Sequence, residues 1–133
     1  RLDCLRKHLL CISGRRAEIV ESYRRRLRDR VGRLLSGLDA SVDPNRLEQE
    51  IAIAADRSDI EEELTRLNSH FEQFDRLGDT PEPVGRRLDF LLQEMSREVN
   101  TIGAKSQDAP VAHAVVEIKA EIERMREQVQ NVE

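Results

Sequence analysis

The sequence predicts an all-α chain, an elongated helical bundle closed by a C-terminal αα-hairpin. Three observations point there. Apolar residues recur at steps of three and four over long stretches, the spacing of one helix face. Glycine and proline gather near the ends of those stretches, at Gly37, Pro44, Gly78, Pro81, Pro83, Gly85, Gly103 and Pro110, leaving little room for strands. The composition, 38% hydrophobic and 36% charged, suits helices with wide solvated faces. Only Tyr23, Phe71, Phe74 and Phe90 are aromatic, so a core must be built from Leu, Ile, Val and Ala. A chain of 133 residues suffices for one domain with a modest core.

The first stretch spans residues 2–35. Leu2, Leu5, Leu9 and Ile12 open one stripe, and Ile19, Val20, Tyr23, Leu27, Val31, Leu34 and Leu38 continue it. One long helix is expected, with Ser13-Gly14 as the place for a bend, since a lone glycine costs only about 1 kcal/mol. The second stretch begins at Asp43-Pro44, an N-cap followed by proline at the first helical position. Leu47, Ile51 and Ala54 set one phase, and Ile60, Leu64, Leu67, Phe71 and Phe74 another. The mismatch predicts a kink or break around residues 56–58, and Ser58-Asp59-Ile60-Glu61 reads as a capping box. The third helix runs from after Pro83 to near Gly103, with Leu88, Leu91, Leu92, Met95, Val99 and Ile102 as its buried face. The fourth starts after Asp108. Its Val111, Val115, Ile118, Ile122, Met125, Val129 and Val132 alternate steps of four and three, a heptad seam suited to antiparallel packing or a short coiled coil. The short link between the last two helices predicts the αα-hairpin.

Charge is unevenly spread. Residues 1–45 hold 11 Lys+Arg and 6 Asp+Glu, whereas residues 46–133 hold 11 and 20, for a net −4 overall. The division suggests a basic N-terminal helical arm, 1–45, and an acidic domain, 46–133. Such a chain could bind a polyanion on one part and a metal on another, or the two halves could attract each other or a neighbouring subunit. Cys4 and Cys11, seven residues apart on one helix, lie about 10 Å apart and cannot form an intrahelical disulfide. They read as reduced thiols in a cytoplasmic protein. No apolar run approaches the roughly 20 residues of a membrane span.

The third helix carries an unusual polar set: Arg86, Arg87, Asp89, Gln93, Glu94, Arg97, Glu98, Asn100, Thr101 and Lys105. A solvated face usually repeats Glu and Lys, whereas this mixture holds a specific geometry when buried together. Glu94 and Glu98 are one turn apart, so both carboxylates can reach one point. On the second stretch Glu63, Arg66, Leu67 and His70 share a face. Glu63 and His70 facing Glu94 and Glu98 would offer three carboxylates and an imidazole, an oxygen-rich set suited to Mg²⁺ or Mn²⁺. The competing reading is an ion-pair network that fixes helix packing, and periodicity leaves both open.

One string is more specific. Pro83-Val84-Gly85-Arg86-Arg87-Leu88-Asp89-Phe90-Leu91-Leu92-Gln93-Glu94-Met95 continues into Ser96-Arg97-Glu98-Val99-Asn100-Thr101-Ile102-Gly103-Ala104-Lys105-Ser106. It resembles the signature of the YicC/YloC family of bacterial endoribonucleases, once described as stress-induced proteins. Residues 59–64, Leu67, Ser69-His70 and residues 121–133 fit the same family. The resemblance covers about residues 46–133 and is looser before that. It implies a manganese-dependent enzyme that cuts RNA internally, works as a ring-like homo-oligomer, acts beside the RNA-degradation machinery and has a further N-terminal domain of similar size. The last helix departs from the family at residues 109–113, where its start is less polar.

On this basis Glu94, Glu98, Arg97 and Asp89 are the expected catalytic residues. Glu63, His70, Glu94 and Glu98 are the expected metal ligands. Arg86, Arg87, Asn100, Thr101, Lys105, Arg24 and Arg28 are expected to contact RNA. The metal, Mn²⁺ or else Mg²⁺, would polarise a phosphoryl oxygen and activate water, with Arg87 or Arg97 neutralising charge at phosphorus. Two rival roles are a non-catalytic RNA-turnover adaptor and an oligomerisation module, the latter supported by the heptad seam.

Overall fold

The computed structural model describes residues 2–36, 42–79 and 84–132, without the side chains of Leu2 and Val132. Gly37, Leu38, Pro81 and Pro83 lie outside the described residues. The described residues form six α-helices and no strand: α1 (Leu2–Gly14), α2 (Arg16–Leu35), α3 (Pro44–Asp56), α4 (Glu61–Gly78), α5 (Gly85–Lys105) and α6 (Ala109–Val132).

Helices α1, α4, α5 and α6 surround one core. Leu5, Leu9 and Ile12 of α1 meet Leu64, Leu67 and Phe71 of α4, Leu92, Met95, Val99 and Ile102 of α5, and Val111, Ile118, Ile122 and Met125 of α6. Each fully buried aliphatic side chain contributes about 1.5–3 kcal/mol of transfer free energy. The α5–α6 hairpin is the most extensive pairing, followed by α4 with α5 and α1 with α6. The heptad seam of α6 is used here: Val111, Val115, Ile118, Ile122 and Met125 are all buried within the chain. The seam therefore packs the hairpin. From the basic N-terminal helical arm, Leu5, Leu9, Ile12 and Ile19 join the same core as α4, α5 and α6.

The single long first helix does not form. The chain breaks at Arg15, whose φ of −97° and ψ of −1° leave the regular helix, with its N–H bonded to the Ile12 carbonyl at 3.0 Å. Tertiary anchors hold the break. Arg15 forks onto Asp108 at 2.7 and 3.0 Å, and Arg16 forks onto Asp59 at 2.7 Å through each nitrogen. Beyond the break, α2 pairs with α3.

The break expected near residues 56–58 is present, but its chemistry differs. Ser58 Oγ donates to the Ala55 carbonyl at 2.6 Å, so Ser58 closes α3 and does not cap α4. Asp59, just before α4, has its carboxylate held by Arg16, and the nearby Ile60 and Glu61 N–H groups help lower its pKa. At α3 the expected cap holds, with Asp43 accepting from the Asn45 N–H at 3.0 Å. In the α5–α6 link the Ser106 Oγ donates to the Ile102 carbonyl, and Asp108 accepts weakly from the Val111 N–H. Cys4 and Cys11 are free and exposed. No described helix is long and apolar enough to cross a membrane.

Candidate functional site

The polar residues of α4 and α5 meet along an antiparallel seam. At one end Lys105 Nζ donates to Glu63 Oε1 at 2.6 Å and to the Asp59 carbonyl at 3.3 Å. One turn along, Arg66 Nε donates to Glu98 Oε1 at 2.9 Å. Glu63 and Glu98 are both buried charged residues, and each has a cation from the facing helix, as buried carboxylates require. The Glu98 carboxylate raises the Arg66 pKa, chiefly through that hydrogen bond. One more turn in each direction puts His70 level with Glu94, because four residues advance each helix by about 6 Å.

That third rung is the incomplete one. His70 Nδ1 is buried and has no hydrogen-bond partner among the described residues, and neither has Glu63 Oε2 at the first rung. Both belong to α4 and sit two turns apart on one face. Buried polar atoms in folded proteins are nearly always paired, so a buried nitrogen and a buried carboxylate oxygen without partners mark places where another group fits. Glu94 is half-buried and meets only the distant end of Arg97, at 3.5 Å. Arg97 itself is 75% exposed.

The sequence-derived candidates therefore divide. Glu63, Glu98 and Lys105 form interhelical ion pairs, and Lys105 turns inward to α4. Asp89 accepts from Arg126 of α6 at 3.2 Å and from Gln93 at 3.0 Å. Thr101 Oγ1 bonds back to the Arg97 carbonyl. Arg86, Arg87 and Asn100 are exposed, and neither arginine has an ion pair with a described residue. Arg28 forks onto Glu48 across α2 and α3, at 2.8 and 3.2 Å, and that hydrogen bond holds the Glu48 carboxyl below the usual range. Arg24 lies 3.7 Å from Glu21, with its Nε buried and unpartnered. Glu94 and Glu98, expected to converge, are drawn toward different cations.

No three His, Cys, Asp or Glu side chains come together as a metal site among the described residues. The four-ligand set expected from sequence is thus not assembled by these residues alone, since Lys105 and Arg66 occupy two of its carboxylates. Sequence reasoning noted Arg66 but gave it no role. It also missed Arg126 and the anchors Arg15 and Arg16. Their partners lie 32 or more residues away, and no local pattern signals such pairs.

Comparison with known proteins places this seam in context. Residues 12–133 match the family described as endoribonuclease YicC-like, C-terminal. The chain belongs to that YicC-like family. A protein named probable endoribonuclease YicC from Clostridioides difficile (strain 630) is 45% identical over 133 residues, all of this chain and 45% of the relative. A second of that name, from Haemophilus influenzae (strain ATCC 51907 / DSM 11121 / KW20 / Rd), is 42% identical over 106 residues, 80% of this chain and 37% of the relative. The chain thus spans less than half the length of these curated relatives. The YicC-like match also reaches well before residue 46, and so takes in α2 and α3 as well as the seam.

Proposed function

We propose that this YicC-like chain contributes to an endoribonuclease that hydrolyses RNA phosphodiester bonds, and that the reaction takes place at the open end of the α4–α5 seam. The observation that supports this reading is the pair of unpartnered buried atoms on α4, His70 Nδ1 and Glu63 Oε2. A network that served only to fix packing would satisfy its own members. His70, level with Glu94, is placed to move a proton between water and the phosphodiester oxygens. Arg97, exposed one turn from Glu94, is placed to neutralise charge developing at phosphorus. Arg86, Arg87 and Asn100 would hold the RNA backbone.

Glu98 and Lys105 act in this proposal as positioning residues, through Arg66 and Glu63. A divalent ion, Mn²⁺ ahead of Mg²⁺, belongs to it only with ligands beyond these residues, from the rest of the protein or from a neighbouring copy in a homo-oligomer.

The test is cleavage of a labelled single-stranded RNA by the full-length protein, with Mn²⁺ and with chelator. Glu94→Ala and His70→Ala should each lower cleavage at least about 100-fold, the usual contribution of acid–base catalysis, while helical content and melting stay unchanged. Glu98→Ala should lower cleavage with only a mild loss of stability, because Arg66 loses the carboxylate that positions it but is half-exposed and still faces Glu62. Undiminished cleavage by both Glu94→Ala and His70→Ala would remove the seam from the reaction.

A further inference from the structure

The arginines of α2 fall into two sets. Arg24, Arg25 and Arg28 each lie against a carboxylate, that of Glu21, Glu18 and Glu48 respectively. Arg26, Arg30 and, nearer the end of the helix, Arg33 have no ion pair among the described residues; Arg26 and Arg30 are the two that line a cavity. Arg26 and Arg30 are one turn apart, and Tyr23 precedes Arg26 by three positions, so the three side chains form one stripe along the helix. With Leu27 and Gln107 they line an open cavity of about 130 Å³ between α2 and the α5–α6 link. Arg26 donates to the Gln107 carbonyl at 3.3 Å, which holds its guanidinium at the rim. The acid next to Gln107, Asp108, is already bound by both Nε and Nη2 of Arg15. The cavity thus combines an aromatic ring with two cations that no carboxylate among the described residues neutralises. Among the other rings, Phe71 is buried in the core and Phe74 packs against it.

We propose that this cavity is a nucleotide subsite for single-stranded RNA, in which Tyr23 stacks on a base while Arg26 and Arg30 take the adjoining phosphates. The inference rests on the RNA substrate proposed above and adds a second contact, on α2 and apart from the α4–α5 seam. A polyanion is the ligand that matches two unneutralised guanidinium groups in a row, and a stacking ring selects nucleic acid over other polyanions. Contacts of this kind hold a strand without reading its sequence.

Binding of a fluorescein-labelled oligouridylate to the chain, followed by anisotropy between about 50 and 200 mM KCl, tests this. Arg26→Glu with Arg30→Glu should weaken binding at least about tenfold and reduce the salt slope by about 1.4, two phosphate contacts at about 0.7 each for a single strand. Tyr23→Ala should weaken binding about tenfold, within the range for loss of one stacked base, and Tyr23→Phe should restore it. Arg25→Glu changes the charge as much as Arg30→Glu but lies off the stripe, so it should stay within about twofold of the unaltered chain. Helical content and melting temperature confirm that each variant is folded. Equal losses for Arg25→Glu and Arg30→Glu, or full binding by Tyr23→Ala, overturn the subsite in favour of diffuse charge attraction. An unaltered chain that does not bind also overturns it, and the cleavage assay on the full-length protein then decides the endoribonuclease reading separately.

Discussion

Replacing Lys105 with methionine should destabilise this protein by about 3 kcal/mol, the lower end of the cost of leaving a buried charge without its partner. The magnitude follows from the surroundings of Glu63. Its side chain is 3% exposed, Lys105 Nζ at 2.6 Å is its only ion-pair partner among the described residues, and its second oxygen has no hydrogen-bond partner among them. Removing Lys105 leaves a carboxylate that cannot turn to water. The reverse change is far milder. In Glu63→Met the Lys105 ammonium, on a side chain 33% exposed, can swing into solvent, and the methionine fills the volume, so the cost should stay near 1 kcal/mol. The double variant should resemble Glu63→Met, giving a coupling of about 2–3 kcal/mol. Urea denaturation followed by circular dichroism measures all four corners of this cycle. The Lys105→Met melting temperature should fall by roughly 10 °C. If that variant loses less than about 0.5 kcal/mol, or the coupling vanishes, the ion pair is not what holds α4 to α5 at this rung.

Three further outcomes are expected. Asp59 and Asp108 have pKa values lowered from 3.8, each chiefly by its hydrogen bonds from an arginine, Arg16 and Arg15 respectively. A carboxylate depressed on folding stabilises the fold above its unfolded pKa, and that stability is lost as pH falls through the lower, folded pKa. Stability should therefore decline below about pH 4, and Arg15→Met with Arg16→Met should flatten the decline, as urea titrations from pH 6 to pH 2.5 would record. Gly32 sits within α2 with nothing within 4 Å of where a Cβ would be, so Gly32→Ala should stabilise by about 0.5–1 kcal/mol; a lower melting temperature would contradict the described surroundings. Ile118→Ala, at a fully buried position between α6 and the rest of the core, should cost about 2–5 kcal/mol, against almost nothing for Val116→Ala, which is 63% exposed.

Much of this molecule is legible from its sequence, for a local reason. Helix faces repeat within a few residues, so the buried positions of α5 and α6 follow from spacing alone. Met95, Val99, Ile102, Ile118 and Ile122 were all expected inside and are buried. The hairpin follows from the short link, and the break before α4 from the phase change between Ala54 and Ile60. The family resemblance read over residues 46–133 was likewise carried by a string that needs no structure.

Other features depend on which helix meets which, and spacing does not encode that. The chain parts at Arg15, directly after the Ser13-Gly14 interruption point, as a full break and not only a bend, with Asp108 gripping Arg15 and Asp59 gripping Arg16. Ser58 looks like a cap for the following helix because the motif is local, yet its hydroxyl turns back to Ala55. Glu94 and Glu98 look like a matched pair because they are one turn apart. In the fold, Glu98 is drawn to Arg66 of the facing helix while Glu94 meets Arg97 of its own.

The sequence by itself determined the helices, their buried faces and the dense polar face of α5. Only the tertiary structure decided which of those polar groups are neutralised across the seam and which stay open, because that depends on the antiparallel register of α4 against α5. The same holds on α2, whose seven arginines look alike in sequence; contact with Asp59, Glu21, Glu18 and Glu48 occupies Arg16, Arg24, Arg25 and Arg28, while Arg26, Arg30 and Arg33 have no ion pair among the described residues.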